Sequence, residues 1–215
     1  MKGIFVSFEG VDGTGKSTQA RFFLERLQTQ GYATVLTREP GGTVVAEKIR
    51  EVLLTDYGEK VSPRAEALLY AAARAQHISR VIRPALTEGK IVICERFSDS
   101  TLAYQGYGSG LDLALLRAAD GIATDGLKPD LTFLFTLNPE ECWARVTKRN
   151  VRSGHDRMEA KGQAFQERVY QGYLRLAAAE PARIKQIECS GRSPEEIGEI
   201  VWAHFTSAHL IEGRG

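Results

Sequence analysis

Ile4-Phe5-Val6-Ser7-Phe8-Glu9-Gly10-Val11-Asp12-Gly13-Thr14-Gly15-Lys16-Ser17 opens on an apolar run and closes on glycines, a lysine and a hydroxyl. The run at 4–8 predicts a buried strand, and 16–30 predicts a helix stopped by Gly31. Between them, residues 10–17 fit G-x-x-x-x-G-K-[ST] in the strand–loop–helix context that the pattern needs. Glycines let the backbone curl until successive N–H groups point inward at phosphate oxygens. The start of the following helix adds the positive end of its dipole. Gly10, Val11, Asp12, Gly13, Thr14, Gly15, Lys16, Ser17 and Thr18 are therefore the candidate nucleotide-binding set. Lys16 would reach the β and γ phosphates of ATP, and Ser17 would ligate Mg2+.

The same rhythm continues outward from this loop. Strands are expected at 4–8, 34–37, 91–94, 132–137 and 184–189, three of them nearly continuous apolar runs. Helices are expected at 16–30, 44–54, 62–86, 139–149, 163–179 and 194–208, with Pro84 kinking or ending the third. This is an α/β pattern: a five-stranded parallel sheet with helices on both faces. Residues 1–210 read as a single domain. The polar stretch 150–162, without a clean period, reads as a mobile flap. Residues 211–215 read as a tail, native or left by a protease-cleavable tag.

At 215 residues, with 43% apolar and 26% charged residues, the chain suits one soluble domain with one substantial core. Its net charge of +1 excludes a broad polyanion-binding surface, so nucleic acid is not an expected partner. No run approaches the roughly 20 apolar residues of a membrane span. Cys94, Cys142 and Cys189 fit neither a disulfide framework nor a metal site, and suit a reducing cytoplasm.

Ile91-Val92-Ile93-Cys94-Glu95 places an acid at the end of an apolar strand, where it can orient Mg2+ beside the phosphate loop. Arg96 follows directly, at the sheet edge where open α/β folds bind ligands. A phosphate loop alone names a nucleotide and not a reaction. The chain lacks the Asn-Lys-x-Asp expected of a guanine switch. It carries arginines in separate segments (Arg38, Arg50, Arg74, Arg96 and the 150–162 stretch) that could together hold a second phosphorylated molecule. That arrangement suits a kinase acting on a nucleoside monophosphate. A second kinase of that class and a regulatory nucleotide-binding protein are the alternatives.

Five further stretches narrow the reading. They are Thr37-Arg38-Glu39-Pro40-Gly41-Gly42-Thr43, Ala73-Arg74-Ala75-Gln76-His77, Glu95-Arg96-Phe97-Ser98-Asp99-Ser100, Ala103-Tyr104-Gln105-Gly106 and Asp156-Arg157-Met158-Glu159. With the phosphate loop and Ser193-Pro194-Glu195-Glu196-Ile197, they resemble bacterial thymidylate kinases in order, from about residue 4 to residue 200. The resemblance implies ATP-dependent phosphorylation of dTMP and a homodimer. It implies that Asp12 meets the sugar 3′-hydroxyl and that Arg96 holds the acceptor phosphate. Tyr70 would stack on the thymine, Arg74 would bond its carbonyl, and Tyr104 would crowd the 2′ position. Ser100, Thr101 and Gln105 would lie near the substrate, with Arg38 and Arg50 as further contacts. Taken alone, Tyr70 and Tyr104 read equally as partly buried aromatics, and Arg74 as a helix-surface residue.

Two departures stand out. Glu95 replaces the family's usual aspartate before the arginine, keeping the charge on a longer arm. Gly13 stands where one branch of the family has an arginine. The missing positive charge must then come from Arg149, Arg152 or Arg157, with Arg152 the first choice and Arg149 also a candidate against the adenine.

Overall fold

The computed structural model describes residues 3–153 and 161–211. Among these, β1 (Ile4–Glu9), β2 (Thr34–Arg38), β3 (Ile91–Glu95), β4 (Leu131–Thr136) and β5 (Ile184–Glu188) form one parallel sheet in the order β2-β3-β1-β4-β5. Each expected strand is present to within one residue at either end. Strands β1 and β4 are buried along their whole length, because helices cover both faces.

This strand order creates the site. The chain leaving β1 travels to β2 on one side, whereas the chain leaving the adjacent β3 travels to β4 on the other. Connections that part in opposite directions leave a crevice outside the carboxyl ends of the two strands. The phosphate loop leaves β1 there, and Arg96 leaves β3 there, its N–H donating to the Phe8 carbonyl at 3.0 Å.

Period-two alternation divides β1 between two cores. Ile4, Val6 and Phe8 face one cluster, where Phe8, Phe23, Phe133, Phe135 and Phe205 pack ring on ring. Burying each such ring contributes about 1.5–3 kcal/mol. Phe5 faces the other cluster and meets Phe97 edge-on at 4.8 Å. Ser7 and Glu9 follow Phe5 at the same two-residue spacing, so a buried carboxyl ends β1 on the Phe97 side.

Helix α1 (Lys16–Thr29) starts after Gly15, whose φ of 91° is left-handed, with no side chain capping the first turn. Helix α2 (Val44–Leu54) is capped by Thr43. Ser62 caps α3 (Pro63–His77), with a proline in its first turn as expected. The expected helix over 62–86 is not continuous. A π-helical stretch, Ile78–Ile82, precedes α4 (Arg83–Thr87). The irregularity falls before Pro84, because proline lacks the N–H and crowds the carbonyl four residues back.

Two elements escaped the sequence reading. Helix α5 (Ser98–Thr101) runs into a π-helical stretch, Leu102–Gly108, and α6 (Leu113–Thr124) follows, capped by Asp112. The glycines that discourage a helix at 106 and 108 serve close packing here. A Cβ on Gly108 would lie 2.7 Å from the Phe165 ring of α8 (Gln163–Ala179), and one on Gly172 would lie 2.7 Å from Tyr107.

Helix α7 spans Pro139–Ser153, so it extends four residues into the stretch read as a flap. Helix α9 (Pro194–Ser207) closes the fold, with Ser193 and Glu196 forming a reciprocal capping box. Among the described residues, no helix is long and apolar enough to cross a membrane.

Candidate active site

Two pockets meet outside the ends of β1 and β3. The first encloses about 780 Å³ and is lined by the loop residues Asp12, Gly13, Gly15, Lys16, Ser17 and Thr18, with Glu95, Arg96, Arg145 and Val146. Gly10, Val11 and Thr14 are buried behind it and shape the loop. The Val11 carbonyl accepts from Lys16 Nζ at 2.8 Å and from Thr14 Oγ1 at 2.9 Å. Burial lowers the Lys16 pKa to about 8, and the nearby Arg96 charge adds to that. Ser17 Oγ donates to Glu95 Oε2 at 2.5 Å, which puts a hydroxyl and a carboxylate together at the mouth of the loop. These are hard oxygen donors of the kind Mg2+ takes.

The second pocket holds about 550 Å³. Asp12, Arg50, Tyr70, Arg74, Arg96, Ser100, Thr101, Tyr104 and Gln105 all line it. Arg38 does not. Its guanidinium lies on Glu47 at 3.1 Å and on the Pro40 carbonyl at 3.2 Å, an ion pair that ties β2 to α2. Arg50 Nη1 donates to the same Pro40 carbonyl at 2.9 Å.

Arg74 is fixed from three sides. Its Nε donates to Glu39 at 2.8 Å, Nη1 to Asp120 at 2.8 Å and Nη2 to Thr101 Oγ1 at 2.9 Å, and the residue is 2% exposed. Removing one partner of such a buried pair costs about 3–5 kcal/mol, so the guanidinium is held rigidly. Glu39 also accepts from His77 Nδ1–H at 3.1 Å. Gly42 presses on the same imidazole: a Cβ there would lie 2.6 Å from the ring. Glu39, Gly41 and Gly42 therefore support the wall of the pocket.

Arg96 carries the most concentrated set of contacts. Its φ of 68° is left-handed, a strained position for a residue with a Cβ and one that recurs at functional sites. Nη2 donates to Asp12 at 2.6 Å and to the Tyr104 hydroxyl at 3.2 Å. Nη1 donates to the Gly10 carbonyl at 3.1 Å, and to Ser100 Oγ and the Tyr173 hydroxyl at 3.2 Å each. Arg96 and Asp12 line both pockets, so a group entering from either side meets the same ion pair.

The family model described as thymidylate kinase matches residues 8–199. A thymidylate kinase from Synechococcus sp. (strain JA-2-3B'a(2-13)) is 50% identical over 200 residues, covering 93% of each chain. One from Exiguobacterium sp. (strain ATCC BAA-1283 / AT1b) is 52% identical over 188 residues, covering 87% of each. The crystal structure of thymidylate kinase from Ehrlichia chaffeensis superposes with a TM-score of 0.77 at 31% identity, covering 96% of this chain and 100% of that one. The chain belongs to the thymidylate kinase family.

Several residues at the centre of this thymidylate kinase site were not found in the sequence. Glu9 and Tyr173 contact the Arg96 cluster, and Asp120 anchors Arg74. Glu9 carries the same signal that singled out Glu95, an acid ending an apolar strand. Asp120 lies on a helix the reading did not expect, and Tyr173 has no local signature. Arg145, on α7, donates to the Gly13 carbonyl at 3.3 Å. Its spacing of four from Arg149 was a readable hint. The backbone of Arg149 and Arg152 belongs to α7, but their side chains, and all of Arg157, lie outside the described residues.

Proposed function

We propose that this chain transfers the terminal phosphoryl group of ATP to the phosphate of dTMP, giving ADP and dTDP. The carrying observation is that Asp12 and Arg96 form a wall common to the phosphate-loop pocket and its neighbour. A donor in one pocket and an acceptor in the other would bring their phosphates together at that wall. The acceptor phosphate is already an anion at neutral pH, so no protein nucleophile is needed. What the protein supplies is position and positive charge.

The residues divide the work by pocket. The first-turn N–H groups of α1, left without a side-chain cap, and Lys16 hold the donor phosphates. Ser17 and Glu95 would hold Mg2+, which would supply positive charge to neutralise the donor phosphates. Arg96 takes the acceptor phosphate, and Arg50 flanks it. Asp12 meets the sugar 3′-hydroxyl, Tyr104 crowds the 2′ position, and Ser100, Thr101 and Gln105 border the base. Tyr70 and Arg74, one turn apart on α3, share a helix face that lines the pocket. Arg74 uses three of its five N–H groups on the protein, leaving two for a base carbonyl. Arg149, Arg152 and Arg157, in and after the last turn of α7, close over ATP and exclude water. Residues 1–210 act as one domain, in the cytoplasm.

The assay that tests this reading couples ADP release to dTMP addition and identifies dTDP as the product. ATP turnover without dTDP would sink it. Base recognition has its own test. Tyr70→Ala is expected to weaken dTMP binding by about 1–3 kcal/mol, the range for base–aromatic stacking, and to leave ATP-analogue binding unchanged. Equal losses for both ligands in calorimetry would show that Tyr70 supports the fold instead.

The active unit is a homodimer. Helix α2 packs on α3 and α3 on α6, and this layer exposes Val44 (83%), Val45, Leu68, Leu115 and Ile122 (87%). Exposed apolar side chains on packed helices of this kind often mark an interface. Sedimentation is expected to give a dimer, and Leu115→Glu with Ile122→Glu a monomer. A monomeric parent chain would contradict this assignment.

A further inference from the structure

The buried acid at the end of β1 has no part in the reaction as derived so far. Glu9 is 0% exposed, and its two oxygens are fully engaged. Oε1 accepts the Phe97 N–H at 2.6 Å. Oε2 accepts from the Ser100 hydroxyl at 2.6 Å and from the Tyr173 hydroxyl at 2.9 Å. Those two hydroxyls lie 2.7 Å apart, and both accept from Arg96 Nη1.

Counting protons shows what the acid does. Ser100 and Tyr173 have one hydroxyl proton each, and a carboxylate takes both. Each hydroxyl oxygen then turns its lone pairs toward Arg96, as both distances require. A protonated or absent acid changes that arrangement. A carboxylic acid must donate its proton to one hydroxyl, which then turns its own proton to the other hydroxyl 2.7 Å away, so that lone pairs left to Arg96 by the charged acid are engaged within the triad instead. We propose that Glu9 is a positioning residue for the acceptor-phosphate arginine, acting through the hydroxyls of Ser100 and Tyr173 to hold the Arg96 guanidinium. This rests on the reading of Arg96 given under the proposed function.

The surroundings make the arrangement sensitive to pH. Asp99 and Ser100 on α5, Tyr173 on α8, Tyr104 on the π-helical stretch, Lys16 on α1 and Cys94 on β3 all face this corner with Arg96. Arg183 is paired to Asp99 at 2.8 Å and does not reach Glu9 in its place. Burial and the Asp99 charge raise the Glu9 pKa, against opposition from Ser100, Arg96 and the Phe97 N–H, to about 7. A raised carboxyl pKa means that the carboxylate is present above about 7 and lost below it. Positioning of Arg96 is therefore expected to fail as the pH falls through that value.

The test is Glu9→Gln, which keeps size and burial but cannot accept from both hydroxyls on a charged oxygen. Kinetics are measured with whichever nucleoside monophosphate the parent enzyme turns over, so an error about thymine leaves the test intact. Partners that orient a functional group are typically worth about 10–100-fold, and a loss of that size in acceptor kcat/KM is expected, with the ATP KM unchanged. The parent enzyme should lose acceptor kcat/KM as pH falls through about 7. The variant should retain only the step of the substrate phosphate itself, near pH ~6. Parental kcat/KM in the variant, or the same step near 7 in both, overturns the proposal. Should Glu9→Gln fail to fold, Tyr173→Phe removes one of the two hydroxyls and keeps the acid. It is expected to lose part of the acceptor kcat/KM while retaining the step, and full activity would again overturn the proposal.

Discussion

Arg96→Ala is expected to lower kcat by about 10³-fold or more, within the range for arginines that meet phosphoryl-transfer charge. Arg96 is the one cation whose side chain, among the described residues, reaches Asp12, Gly10, Ser100, Tyr104 and Tyr173 together. It also lines the pockets of both substrates. Its loss would strip the acceptor phosphate of its partner and remove the shorter of the two ion pairs that Asp12 makes, that with Lys16 at 3.9 Å remaining. Arg96→Lys should recover little, since a single ammonium cannot replace the planar fork. Thermal melting of both variants separates a chemical loss from unfolding. An Arg96→Ala enzyme within tenfold of the parent kcat would show that the acceptor phosphate is held elsewhere.

The second large effect is expected from the end of α7. Gly13 has a φ of 87°, and a Cβ there would lie 2.8 Å from the Cys142 carbonyl. The loop therefore has no room at that position for an arginine in this backbone. Arg149, Arg152 and Arg157 are left to meet the charge in flight. Replacing all three by alanine should slow single-turnover transfer by roughly 10³–10⁵-fold, by analogy with arginine fingers. Affinity for dTMP should change little, because that charge develops only in the transition state. Arg152 remains the first choice for the dominant residue. It lies seven residues, roughly 10 Å of helix, beyond Arg145, which already touches the loop. Near-normal rates in the triple variant would pass the role to Arg96 and Arg145.

What the sequence could and could not reveal follows from the range of the signals. The central strands β1, β3 and β4 were legible because burial on both faces makes them largely apolar, and the phosphate loop because its chemistry lies in eight consecutive residues. The Ser62 and Ser193 caps are equally local. The 98–124 region was not legible as helix. Gly108 answers to contacts with Phe165 and Val169 of α8, more than fifty residues further along, and local propensity cannot encode that, while Gly106 makes room for Leu113 of α6. The same holds for the pocket wall. Arg74 could be read as a surface residue until Glu39, Asp120 and Thr101, from three other segments, closed around it. Arg38 was not legible as a partner of Glu47, nine residues on, because the pair depends on how β2 meets α2. The boundary of α7 was misjudged because its buried pair, Cys142 and Val146, lies in the first half of the helix, and the sequence from Thr147 to Ser153 is mostly polar.

The central claim is that the second pocket selects dTMP. The most direct measurement is kcat/KM for a panel of monophosphates (dTMP, dUMP, AMP, GMP and CMP) with ATP and Mg2+ held saturating. The pocket formed by Tyr70, Arg74, Ser100 and Tyr104 predicts dTMP first, dUMP weaker, and the other three nearly inert. AMP or GMP ahead of dTMP would contradict it.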